Sequence, residues 1–214
     1  MAQERNSPSE ILTADEFSGH GYAIGRSISR IFHPITLNVV MILIVGYFAL
    51  ESRSTGMMWA GLCLLIQVVP PTLFYRFRAR QGAFSDEDVS IRQQRNELYL
   101  FGLITILIDV IILTLLGAPH VFLALLACGL VLGVVGGLIN LFWKISIHAA
   151  SIAATATVAL LFSPGLGVVL WLCAVAVGWA RIRTRNHTPL QVLAGFGLAV
   201  STVLLVFRLV EYLA

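Results

Sequence analysis

The chain has 214 residues, of which 58% are hydrophobic and only 12% charged, and a net charge of +3. Roughly 25% charged residues is usual in a soluble domain. The apolar residues come in long runs bounded by short charged islands, which excludes a soluble globular fold, and the small, scattered charge excludes a nucleic-acid partner.

Residues 1–33 read as a polar N-terminal tail and residues 34–214 as a transmembrane domain. The tail lacks an early apolar core, so targeting is expected to fall to the first span. From Tyr22 to Phe32, Ile24, Ile28 and Ile31 fall on one side of a helix, with Arg26 and Arg30 one turn apart. That pattern suits a helix lying along the membrane interface; the alternative is an ordinary polar lead into the first span.

Seven apolar segments follow: Ile35–Leu50, Met57–Tyr75, Leu98–Gly117, Val121–Trp143, Ile145–Phe162, Gly165–Ala180 and Pro189–Phe207. Backbone groups in lipid must be paired internally, so these are expected to be helices. The first, fifth and sixth are short against the roughly 20 residues that a crossing needs. The expected fold is therefore all-α, a polytopic transmembrane helix bundle of six or seven spans. Pro70-Pro71 is expected to kink or break the second segment, and Gly117-Ala-Pro119 and Ser163-Pro-Gly165 to form tight turns. Gly129, Gly133, Gly136 and Gly137, and then Ala149, Ala153 and Thr157, form stripes of small residues suited to close helix packing. Asp109 sits mid-span, where an acid is costly and marks a functional candidate, though not a catalytic one. Cys63, Cys128 and Cys173 lie inside apolar runs without metal-ligand spacing and read as packing residues.

With seven crossings, the tail and the connections 76–97, 143–147 and 181–188 share one membrane face. Of the 14 lysines and arginines, only Arg53 and Arg208 fall on the other. The positive-inside rule then makes the first face cytoplasmic, and the chain is expected to be a multi-pass protein of the cell membrane.

Three islands on that face hold residues able to carry chemistry. In Ala180-Arg-Ile-Arg-Thr-Arg-Asn-His-Thr-Pro-Leu-Gln191, His187 and Gln191 are four residues apart, so the amide is placed to orient the imidazole. Arg181 lies upstream, with a guanidinium suited to an oxyanion. In Asn140–Ser151, Lys144, Ser146 and His148 sit where the fifth apolar helix begins, an end that favours anions. There His148 is a candidate general acid. In Phe84–Glu97, Arg92 and Arg95 are one turn apart, with Asp86 or Asp88 able to steer them. Taken singly, each island also reads as a topology signal, an interfacial histidine or a solvated loop.

In order and spacing, the three islands resemble the type-2 phosphatidic acid phosphatase superfamily of membrane lipid phosphatases. That family carries Lys-x6-Arg-Pro, Pro-Ser-Gly-His and Ser-Arg-x5-His-x3-Asp motifs. Arg181 and His187 keep the Arg-x5-His spacing, and Gln191 stands at the Asp position, as in the dolichyl-diphosphatase-like branch. Ser146-Ile-His148 is similar to the middle motif without its proline and glycine. Arg95 matches the first-motif arginine, while Asn96 replaces its proline and Asp88 its lysine. The resemblance covers roughly residues 84–200. It implies a hydrolase of lipid phosphates or isoprenyl diphosphates that needs no metal or other cofactor. In that scheme His187 is the nucleophile and His148 the general acid. Arg95 and Arg181 hold the phosphate, with Arg92, Lys144 and Ser146 supplying further phosphate contacts. The bilayer and a lipid substrate are the expected partners. The alternative function is a lipid-phosphate binding or transport protein with a degenerate site.

Overall fold

In the computed structural model, residues 19–89 and 91–213 are described, and helix is their only regular secondary structure. The polar tail up to residue 18 lies outside them. The nine α-helices are α1 (His20–Ile31), α2 (Pro34–Phe48), α3 (Arg53–Cys63), α4 (Val69–Arg80), α5 (Asn96–Leu115), α6 (His120–Phe142), α7 (Ile147–Phe162), α8 (Pro164–Arg183) and α9 (Pro189–Leu213). Each apolar segment of the sequence becomes a helix. Five are long and apolar enough to cross a membrane, or up to six if the bent pair α1–α2 counts as one span. Rows of large apolar side chains, such as Leu100, Ile104, Leu107 and Ile111 on α5, stay exposed on the outside of the bundle. Water would penalise such a surface and lipid does not. The protein is an all-α, multi-pass membrane protein.

At its centre is the shortest of the apolar helices that follow α6. Helix α7 has 16 residues, about 24 Å at 1.5 Å per residue, and packs against α2, α8 and α9. Its run from Ile152 to Ala159 is entirely buried. Alanines, serine and threonine make this possible, because small side chains let neighbouring backbones close in. Thr155 Oγ1 donates to Leu37 O of α2 at 3.3 Å and to Ser151 O at 2.9 Å.

The glycine stripe of α6 also serves packing. It receives Ile106, Leu103 and Tyr99 of α5 opposite Gly129, Gly133 and Gly136–Gly137. Asp109 of α5 is only 2% exposed, and its Oδ2 has no hydrogen-bond partner among the described residues.

Of the kink or break expected at Pro70-Pro71, the break does not occur, and the helix is distorted rather than ended. A π-helical turn, Leu64–Val68, precedes the prolines and the chain runs on to Arg80 as one 28-residue span from Arg53. Proline leaves carbonyls one turn back without donors; Thr72 Oγ1 donates to Val68 O at 2.7 Å and satisfies one nearby carbonyl.

Helix α1 forms as the isoleucine and arginine spacing predicts. Ile24 and Ile31 are exposed, whereas Gly25 and Ser29 are buried. The small face docks against the end of α8, where a Cβ on Gly25 would lie 3.0 Å from Thr184 Cγ2. Ile28, expected on the same face as Ile24 and Ile31, packs instead against the cluster of Leu37, Ile152, Ala174 and Val177, and only Ile24 and Ile31 stay exposed.

Candidate functional site

The islands assigned to one face do converge. Arg92 Nη1 donates to Asn140 O at 2.6 Å, Arg95 Nη1 to Ile145 O at 3.4 Å, and Lys144 Nζ to Asn186 O at 2.8 Å. Arg26 and Arg30 of α1 reach Glu87 at 3.7 and 3.4 Å. The polar ends of the helices thus form one layer.

Within it, the N-termini of α7 and α9 meet. Ser146 is the N-cap of α7, its Oγ accepting from Ala149 N at 3.4 Å, and its own N–H donates to Gln191 O at 3.3 Å. The approach depends on Gly195, where a Cβ would lie 2.8 Å from Ser146 O. Thr188 and Gln191 make the reciprocal bonds of a capping box at the start of α9. Gln191 N donates to Thr188 Oγ1 at 3.3 Å and Thr188 N to Gln191 Oε1 at 3.1 Å.

That box determines the protonation of His187. Because the Thr188 N–H can only donate, the atom it meets must be the amide oxygen. The same Oε1 lies 3.2 Å from His187 Nδ1, so Nδ1 carries the proton and Nε2 the lone pair. Burial, with Arg181, Lys144 and Arg95 nearby, pushes the His187 pKa down to about 2 against a smaller opposing effect of the Gln191 bond. The ring is neutral at any physiological pH. Lys144 is likewise lowered, by burial and then by Arg95 and Arg181.

His187 lines a cavity of about 410 Å³, together with His33, Asp88, Arg95 and His148 at the polar end. Its deeper wall includes Gln67, Leu125, Cys128 and Leu132. Cys128 lies about 20 Å along α6 from Phe142, so the cavity extends well into the apolar layer. His148, on the first turn of α7, is buried and has His33 edge-on at 5.6 Å. His148 Nε2 has no hydrogen-bond partner among the described residues and stands 3.7 Å from Asp88 Oδ1.

The remaining sequence candidates are placed less directly. Arg95 borders the cavity, but its Nε donates to Val89 O at 2.8 Å, so it also ties down the preceding loop. Arg181 is 1% exposed and does not border the cavity. Asp88 Oδ2 receives its Nη1 at 2.8 Å and Asn186 Nδ2 at 3.2 Å. Three further residues expected to contact phosphate lie outside the cavity lining. Arg92 bonds the end of α6, Lys144 bonds the Asn186 carbonyl and Ser146 caps α7; none of the three lines the cavity. Of Asp86 and Asp88, either of which was expected to steer Arg92 and Arg95, Asp88 pairs its carboxylate with Arg181. Asp109 does not line the cavity either.

Two features escaped the sequence reading. His33 joins the cavity wall; its signal was a histidine directly before a helix-starting proline on the same face, and its Nδ1 accepts from Ile35 N at 3.3 Å. The Thr188-x-x-Gln191 capping box was legible from spacing alone. No family profile, curated protein or solved structure matches the chain.

Proposed function

We propose that the protein is an integral membrane phosphatase, hydrolysing a lipid phosphate or isoprenyl diphosphate through a phosphohistidine intermediate. The observation that carries this reading is the state of His187: neutral, Nδ1–H on Gln191, Nε2 unprotonated, in a cavity shared with Arg95 and His148. A neutral imidazole with an oriented lone pair is a competent nucleophile.

In this reading Nε2 attacks phosphorus and the bond to the lipid oxygen breaks. His148, the candidate general acid, gives that oxygen a proton. Water then attacks the phosphohistidine and returns a proton to His148, and inorganic phosphate leaves with His187 restored. Arg95 and Arg181 stabilise charge on the transferring group. The apolar depth of the cavity suits the lipid tail, with the head group at the polar end. Gln191 orients His187 but, being an amide, stabilises a positively charged ring less than a carboxylate would.

The Asp88–Arg181 pair favours a second reading, a protein that binds or transports a lipid phosphate without cleaving it. Phosphate release from a panel of lipid phosphates and diphosphates, with EDTA present, separates the two. Release by the wild type that resists EDTA and is lost in His187→Ala supports the phosphatase. Binding without release from any substrate supports the second reading. The arginine asymmetry supports a cytoplasmic site in the cell membrane. With Arg183→Cys, labelling by an impermeant thiol reagent from outside intact cells would overturn that orientation.

A further inference from the structure

The carboxylate of Asp88 sits among groups that ask for a larger anion than itself. Its Oδ2 takes Arg181 Nη1 at 2.8 Å and Asn186 Nδ2 at 3.2 Å. Its Oδ1 is 3.7 Å from His148 Nε2, too far for a hydrogen bond. Arg181 Nε, on a guanidinium that is 1% exposed, and His148 Nε2 both lack a hydrogen-bond partner among the described residues. Buried donors are ordinarily satisfied, and the free Nε of a buried guanidinium whose Nη1 meets one carboxylate marks an anion site that is filled incompletely. A tetrahedral phosphoryl group brings more acceptor oxygens and can take both Nε and Nη1 of an arginine. Asp88 also borders the cavity where Arg181 does not, so the carboxylate stands between the guanidinium and the space open to a ligand.

The segment carrying Asp88 is held by side chains rather than by a helical hydrogen-bond ladder: residues 82–89 form no helix. Val89 adopts φ 47°, a left-handed conformation that a β-branched residue rarely holds and that the surroundings must maintain. Its restraints are made largely by side chains: Tyr75 Oη to Glu87 O at 2.9 Å, Ser85 N to Gln94 Oε1 at 3.0 Å, Arg95 Nε to Val89 O at 2.8 Å, Arg26 and Arg30 to Glu87 at 3.7 and 3.4 Å, and Phe84 stacked on Tyr75.

We propose that Asp88 is a resident stand-in for the phosphoryl group: its carboxylate closes the anion site at rest and must be displaced before a phosphate can reach Arg181. The inference rests on the reading of this cavity as a phosphoryl site and adds a built-in competitor to it. The device sets an affinity threshold, because a ligand has to offer the arginine and histidine more than the carboxylate does.

Inorganic phosphate binding to the purified full chain tests this without requiring turnover, by calorimetry and thermal shift at constant ionic strength. Asp88→Asn keeps the size and removes the charge, and is expected to bind phosphate at least tenfold more tightly than the wild type. Equal or weaker binding overturns the proposal and makes Asp88 a structural partner of Arg181. Should Asp88→Asn not fold, Val89→Cys reports on the same event. Val89 is buried, so maleimide labelling is expected to accelerate at phosphate concentrations that raise the unfolding temperature. A raised unfolding temperature with unchanged labelling, or no phosphate binding by either variant, overturns the proposal. Tighter phosphate binding by Asp88→Asn with no hydrolysis of any lipid phosphate would leave this inference standing and remove the phosphatase reading.

Discussion

The α7–α9 junction and the connection between α4 and α5 both deliver side chains to one cavity, by opposite means. At the junction, two helix N-termini are locked by backbone and capping bonds, with Gly195 removing the side chain that would hold them apart. His187 and His148 inherit the rigidity of those helices. The connection has no regular structure from Gly82 to Val89 and is held by side chains reaching across the chain, with Val89 in a strained conformation. The difference teaches a division of labour: groups proposed for bond-making sit at helix ends, whereas the charge proposed to control access sits on a segment without a helical ladder.

The comparison breaks most visibly at Arg181. Arg181→Met removes one partner of a buried ion pair and leaves the Asp88 carboxylate uncompensated, a loss of about 3–5 kcal/mol. The double variant Arg181→Met/Asp88→Asn should recover much of it, and chemical unfolding of the four proteins as a double-mutant cycle measures the coupling. If the cycle shows none, the connection is not held by this pair.

Gly195→Val comes next. Its Cβ would meet Ser146 O at 2.8 Å, and overpacking of this kind costs about 1–3 kcal/mol. A lower unfolding temperature with reduced activity is expected, while an unaffected protein would show that the junction is not tight.

A smaller effect is expected at Gln191. Gln191→Leu removes the capping-box acceptor, worth about 1 kcal/mol, and frees the His187 tautomer, so kcat should fall while the protein remains folded. Gln191→Glu keeps the acceptor and adds a charge that stabilises a protonated or phosphorylated ring; activity equal to or above wild type is expected, read from steady-state kinetics.

The mildest test is pH. The His187 pKa falls from its ordinary 6.5 to about 2 on folding. Between these values the unfolded chain takes up a proton that the folded one refuses. Stability is therefore full above pH 6.5 and declines as pH falls below it, by up to about 1.4 kcal/mol per pH unit. His187→Asn should make that slope shallower in thermal unfolding followed across pH, without abolishing it, because burial also lowers the His33 pKa. An identical slope in both proteins would show that the ring is not held neutral by its surroundings.

The length and polarity of the apolar runs determined the helices, because lipid leaves a backbone no other way to satisfy its hydrogen bonds. Local spacing also determined the His187–Gln191 contact, since His187 directly precedes the Thr188–Gln191 capping box that opens α9 and shares its amide oxygen. It determined the convergence of the islands too, because antiparallel spans with short connections return alternate loops to the same face. What each cation touches was decided only by the tertiary structure. Arg92 and Lys144 went to backbone carbonyls and Asp88 went to Arg181, across about ninety residues of sequence. Long charged side chains have wide reach and several equivalent partners, and burial chooses among them. Sequence spacing holds no record of that choice, so the charges were readable as a set while their pairing emerged only when the helix ends were packed.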